Sequence, residues 1–175
     1  MRLAGRISIA VLAAFLAASI AHASAKKVKK ADLPEEVRKT AERESSGARV
    51  VAYWQDDADG TTIYEVDLKV QGHDKGVLID SDGGVIAIQE EVAWDDLAPG
   101  VQEGIRDLAR GGKIGRAHSV SQGGDVVGYG AEVERDGETI QVEVGPDGRP
   151  RSGAASSDGD EGDPVDIRFA TIVST

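Results

Sequence analysis

The feature that most constrains this chain is an internal echo. The stretch Thr61–Gly84, TTIYEVDLKVQGHDKGVLIDSDGG, reads as a strand, a Gly-containing turn, a second strand and an Asp-Gly turn, and the same grammar returns at Asp125–Gly148, DVVGYGAEVERDGETIQVEVGPDG. Tyr64, Val66, Leu68, Gly72, Val77, Ile79, Asp82 and Gly83 align with Tyr129, Ala131, Val133, Gly137, Val142, Val144, Asp147 and Gly148 at a constant offset of 65. Upstream, Leu33, Val37, Ala41, Gly47 and Val50 align with Leu97, Val101, Ile105, Gly111 and Ile114 at an offset of 64. A single-residue difference at a turn is what a duplicated unit tolerates. The echo therefore predicts an α+β fold of two tandem helix-plus-antiparallel-strand repeats, with the helices packed on one face of an antiparallel sheet.

The N-terminus is set aside first. Arg2 and Arg6 precede an apolar run from Ile7 to Ile20, and Ala21-His22-Ala23 and Ala23-Ser24-Ala25 supply small residues at cleavage positions. Residues 1–25 read as a secretory signal peptide, because the run is short for a membrane span of roughly 20 apolar residues. The expected location is the bacterial periplasm or outside the cell. Loss of Arg2 and Arg6 leaves 18 basic side chains against 31 acidic, a net charge near −13. Such a surface repels nucleic acid and anionic lipid and favours cations or basic partners. There is no Cys, so disulfides, thiol chemistry and Cys metal sites are excluded and stability must come from a core.

Lys26–Lys30 reads as a basic, mobile segment. Helix one follows: Asp32 is placed as N-cap with Glu35 three residues on, Pro34 suits the first turn, and Leu33, Val37 and Ala41 form one stripe. Strands are expected at Arg49–Gln55, Thr62–Gln71, Val77–Asp80 and Val85–Glu91, with turns at 56–60, 72–76 and 81–84. The second of these alternates cleanly, Tyr64, Val66, Leu68 and Val70 against Glu65, Asp67 and Lys69, which predicts a sheet with one polar side. Asp95 or Asp96 is expected to cap helix two, whose stripe is Leu97, Val101, Ile105 and Leu108. Gly100 and Gly104 inside it each cost about 1 kcal/mol against Ala. The expected organisation is repeat one over 31–93, repeat two over 94–150 as part of the same body, and an acidic flexible tail over 151–175. Trp94, at the junction, is expected to pack between the repeats.

These residues resemble the PepSY-like family, a group of β-lactamase-inhibitor-like periplasmic proteins. The resemblance lies in Leu33, Pro34 and Val37, in Tyr64-x-Val66-x-Leu68, and in Val77-x-Ile79-Asp80-x-Asp82-Gly83, and it spans Ala31 to about Pro150. The second copy departs from it: Ala98-Pro99 replaces Leu-Pro, and Gly145 stands where Asp80 stood. The resemblance implies an exported module that binds or inhibits another protein of the envelope, with no catalytic residues.

The chemistry-bearing residues are few. His73 and His118 are the histidines of the mature chain, in a turn and in a distant strand, and read as unrelated surface residues. Asp57, Asp59 and Gly60 echo part of an EF-hand loop, but Gln55 and Val66 occupy ligand positions that need carboxylates. The Asp158–Asp163 run also lacks the spacing, so calcium binding stands only as an alternative function, that of an acidic cation-binding envelope protein. Gly-x-Ser-x-Gly, His-Glu-x-x-His and phosphate-loop patterns are missing, and neighbouring His118 and Ser119 should face opposite sides of a strand. The expected protein is thus no enzyme, with no cofactor and no metal site. Its partner is expected to be a protein or peptide of the cell envelope, and not nucleic acid or membrane. Tyr53 and Trp54 are the candidate partner-binding residues, because adjacent strand residues face opposite ways and one aromatic should point away from the core.

Overall fold

A computed structural model describes residues 25–58 and 61–151. Residues 1–24, which hold all but the last residue of the expected signal peptide, residues 59–60, and the expected acidic tail beyond Arg151 lie outside the described residues. The organising element is one eight-stranded antiparallel sheet: β1 (Lys26–Val28), β2 (Arg49–Ala58), β3 (Thr61–Val70), β4 (His73–Asp80), β5 (Val85–Val92), β6 (Lys113–Gln122), β7 (Asp125–Arg135) and β8 (Glu138–Val144). Spatial order equals chain order, so the sheet is a meander. Two short helices interrupt it, α1 (Glu35–Glu44) and α2 (Pro99–Ala109).

This corrects the fold expected from the echo. The body is not two tandem helix-plus-strand repeats of α+β type. β5 and β6 pair directly from Ile88 opposite Ser121 to Val92 opposite Ala117, so the sheet runs without a break through the expected boundary. The helices are 10 and 11 residues long and are appendages on a largely β protein. The positions aligned at the offset of 65 are alternating apolar strand residues and turn glycines, which every hairpin of a meander needs. Recurrence of that grammar is therefore weak proof of separate units.

The strand register divides the sheet into two faces. On one, Tyr53 opposes Val66 and Val66 opposes Val77. Val77 opposes Ile88, Val92 opposes Ala117, and Ala131 stands between Ala117 and Val142. Both helices dock on this face. Leu33, Val37 and Ala41 close over Tyr64, Val66, Leu68, Val77 and Ile79. Val101, Ile105 and Ala109 close over Ala117, Ala131, Val133, Val142 and Val144. Each buried Val or Leu contributes about 1.5–3 kcal/mol. Trp94 joins the α2 cluster half-buried, with the Arg106 guanidinium 5.2 Å from its ring centroid, and so serves α2 rather than a seam between halves.

Three local expectations also change. Lys26–Val28 is no mobile segment: it pairs with Gln55, Trp54 and Tyr53 as the edge strand β1. Asp32 does not cap α1; it sits in a 3-10 turn and accepts from the Lys29 N–H at 3.3 Å, while Pro34 holds the N-cap position. Residues 73–76, read as a turn, open β4, with the reversal confined to Gln71 and Gly72 at φ +52° and +96°.

The glycines of α2 have a reason that helix propensity hides. A Cβ on Gly104 would run into the Gly148 carbonyl, and one on Gly148, at φ +78°, would run into the Gly100 carbonyl. The helix therefore touches the turn after β8 backbone to backbone. α1 makes a similar approach at Gly83, φ +85°, where Thr40 Oγ1 donates to the Gly83 carbonyl at 2.7 Å.

Candidate functional site: the sheet face away from the helices

The alternation that buries Tyr64, Val66 and Leu68 sends Glu65, Asp67 and Lys69 to the other face. In register with them are Trp54, Gly76, Asp74, Gln89, Glu91, His118, Gly130, Glu132, Gln141 and Glu143. Among the described residues neither helix packs on this far face. One end of it is apolar: Ile63, Leu78, Ala87 and Val120, each 1–6% exposed, gather there with the partly buried Ile86 and Val127.

The other end is a charged lattice. Lys69 pairs with Asp74 at 2.7 Å. Arg116 reaches Asp74 with Nη1 at 2.9 Å and Glu132 with Nη2 at 2.8 Å. The Asp74 N–H donates to Glu91 Oε2 at 2.9 Å. These residues stand on β3, β4, β5, β6 and β7, so the lattice ties five adjacent strands together. The register slip between Ile114 and Ala117 is what turns Arg116 toward this lattice. Single exposed pairs contribute about 0–1 kcal/mol; the value of this set is that it fixes the carboxylates in place.

Beside the lattice is a depression of about 220 Å³, lined in part by Asp67, Gln89, Glu91, His118, Glu132 and Gln141. His118 is 7% exposed and lies against Gly130. Burial pushes its pKa down to about 4, so the ring is neutral near pH 7. Its Nε2 and the Oε1 of Gln141 are buried atoms with no hydrogen-bond partner. Across Gly130 stands Glu143, whose carboxyl burial pushes up to about 7, against a smaller opposing pull from Arg151. Arg151 crosses the neighbouring glycine, Gly128, and donates from Nη1 to the Val127 carbonyl at 2.5 Å.

The two candidate aromatics part company. Tyr53 packs against the α1 cluster on the helix side. Trp54 lies on the far face, half-buried, with Nε1 donating to Asp67 at 2.7 Å and the Lys27 ammonium 5.6 Å from its ring centroid. His73 and His118 are not brought together: pairing with Val70 puts His73 on the helix side, whereas His118 faces away and is buried rather than superficial. Ser119 pairs with Glu90 and Tyr129 on the helix side, so it presents no hydroxyl to His118. Among the described residues no three His, Asp or Glu side chains are grouped to hold a metal ion. Sequence reasoning passed over Arg116, Gln141 and Glu143. For Gln141 and Glu143 the one signal was the alternation itself, which puts them, with Glu132, on the side opposite Ala131 and Val142; Arg116 reaches that side through a register slip that no local pattern encodes.

No family model matches the chain, and no curated protein matches it. The PepSY-like assignment therefore gains no support of its own. Solved structures share the fold. A DUF2874 family protein from Bacteroides ovatus is 18% identical, with a TM-score of 0.53, over 69% of this chain and 85% of that one. A provisionally periplasmic protein from Bacteroides eggerthii is 15% identical, with a TM-score of 0.54, over 67% and 85%. A BLIP-like protein from Bacteroides fragilis is 13% identical, with a TM-score of 0.51, over 74% and 90%. At such identities the likeness establishes the architecture alone.

Proposed function

We propose that the chain is an exported, non-enzymatic module that binds or inhibits a protein or peptide of the cell envelope through the far face of its sheet. The observation that carries this reading is the division of labour between the faces. Both helices are spent on one side, while the other holds Trp54, a fixed charge lattice and a depression. A half-buried tryptophan beside ordered charges is the composition of a binding hot spot and its rim. The likeness in fold to a BLIP-like protein and to a provisionally periplasmic one agrees with such a role. The signal-like N-terminus agrees with export, and no described helix is long and apolar enough to cross a membrane. The chain's excess of acidic groups favours basic partners and speeds their encounter at low salt.

The test compares variants of the mature chain as bait in envelope extract. A partner should be retained at low salt by the wild type and by Glu42→Ala, a change on the exposed side of α1, and lost with Trp54→Ala. Retention of the same protein by Trp54→Ala, or of nothing by the wild type, would sink the reading.

A further inference from the structure

The depression on the far face is lined by His118 and Gln141, each of which carries a buried polar atom that lacks a partner. Four carboxylates line it, Asp67, Asp74, Glu91 and Glu132, against two cations, Lys75 and Arg116. Gln141 Oε1 is an acceptor without a donor, and the neutral imidazole of His118 leaves a nitrogen equally unserved. An unpaired buried acceptor is unfavourable, so a group that supplies donors is favoured. The site already shows which donor its walls accept. The Arg116 guanidinium bridges Asp74 and Glu132 from β4 to β7, with 60% of its side chain exposed. A second planar fork suits several acceptors spread around a cavity better than a point charge does.

We propose that this depression is the anchor site for one arginine side chain of the partner, with Glu91 and Asp67 as its counter-charges and Gln141 and His118 as its neutral acceptors. The proposal rests on the binding-module reading and names the chemistry that the module recognises.

The probe is Nα-acetyl-arginine amide, titrated into the mature chain and followed by NMR. Saturable shifts are expected at the His118 ring and the Gln141 side-chain amide. Nα-acetyl-citrulline amide, neutral and of the same shape, should bind at least about tenfold more weakly, and Nα-acetyl-lysine amide should fall in between. Glu91→Gln should weaken arginine binding about threefold or more, and Asp67→Asn is the second variant should the first fail to fold. Arg116→Gln should tighten binding about threefold, because it frees Asp74 and Glu132 for the incoming guanidinium. Citrulline equal to arginine, lysine equal to arginine, no saturation, shifts mapping elsewhere, or no tightening in Arg116→Gln would each overturn the proposal. Failure here is separable from failure of the broader reading. A partner captured through Trp54 while arginine amide does not bind removes the anchor alone. Arginine binding with no envelope partner keeps the anchor and removes the partner.

Discussion

His118 and Gly130 are fitted to each other: a Cβ built on Gly130 would fall 2.5 Å from His118 Nε2 and 2.7 Å from Cε1. The imidazole occupies the space that a side chain at this strand position would fill. Gly in a strand is ordinarily a weakness, yet here it makes room for a neighbour. Gly130→Ala should therefore destabilise the fold by about 1–3 kcal/mol, the range for overpacking, instead of gaining from reduced chain entropy. Chemical denaturation measures it, and a neutral or stabilised variant would show that the ring does not need the gap.

How far the sequence could be read is visible in particular residues. Tyr64, Val66 and Leu68 announced their strand and its buried side, because period-2 alternation is a direct image of one-sided burial. Asp82-Gly83 announced its turn through the positive φ that Gly permits. The polar run His73-Asp74-Lys75-Gly76 misled, since it carries no apolar signal; it is a strand because its backbone pairs with β3 and Asp74 meets Lys69 and Arg116. Lys26–Val28 misled for the same reason. The site was legible only in half. Trp54 could be singled out as one of two aromatics, but the choice between it and Tyr53 depends on register. The neighbourhood of His118 depends on which strands lie side by side, and no local pattern encodes that. The echo at offset 65 was real in the letters and yet did not mean two units, because β5 pairs directly with β6 and one sheet runs through both halves.

Gly104 supplies a case where propensity and packing disagree in sign. On an exposed helix, Gly→Ala gains about 1 kcal/mol. In α2 the added methyl would run into the Gly148 carbonyl and press on Val144 Cγ1 at 3.1 Å. Gly104→Ala should lower stability by about 2 kcal/mol or more, as overpacking against backbone does. A thermal melt separates the alternatives, and an increase in Tm would mean that α2 does not touch the turn.

Thr40 gives the corresponding test on α1. Its hydroxyl is buried and donates to Gly83 O at 2.7 Å, tying the helix to the turn between β4 and β5. Thr40→Val keeps the shape and removes the donor, so the carbonyl loses a buried partner at a cost of about 1–3 kcal/mol. Thr40→Ser keeps the donor and should recover most of the loss. Equal stability of the Val and Ser variants would show that the methyl, not the hydroxyl, carries the contact.

The last expectation concerns pH and joins the two titratable groups that flank Gly130. His118 ordinarily titrates at 6.5 and in the fold at about 4. Between those values the unfolded chain binds the proton and the native chain does not, so stability falls as the pH drops from 6.5 to 4. Glu143 ordinarily titrates at 4.5 and in the fold at about 7. Its contribution is complete below 4.5 and is lost as the pH rises through 7, because the native chain then holds a proton that the unfolded chain has released. Each group alone changes stability by up to about 1.4 kcal/mol per pH unit, and over 4.5–6.5 the two slopes have opposite signs. The wild type should therefore show a shallow profile in that window from this pair. Glu143→Gln unmasks His118, so stability should climb with pH up to 6.5, and the variant should exceed the wild type by about 1–3 kcal/mol at pH 8. His118→Gln unmasks Glu143, so stability should decline as the pH rises from 4.5 to 7. Urea titrations across this range read both slopes. Slopes of the same sign in the two variants would mean that at least one of these groups is not buried against Gly130 as the structure has it.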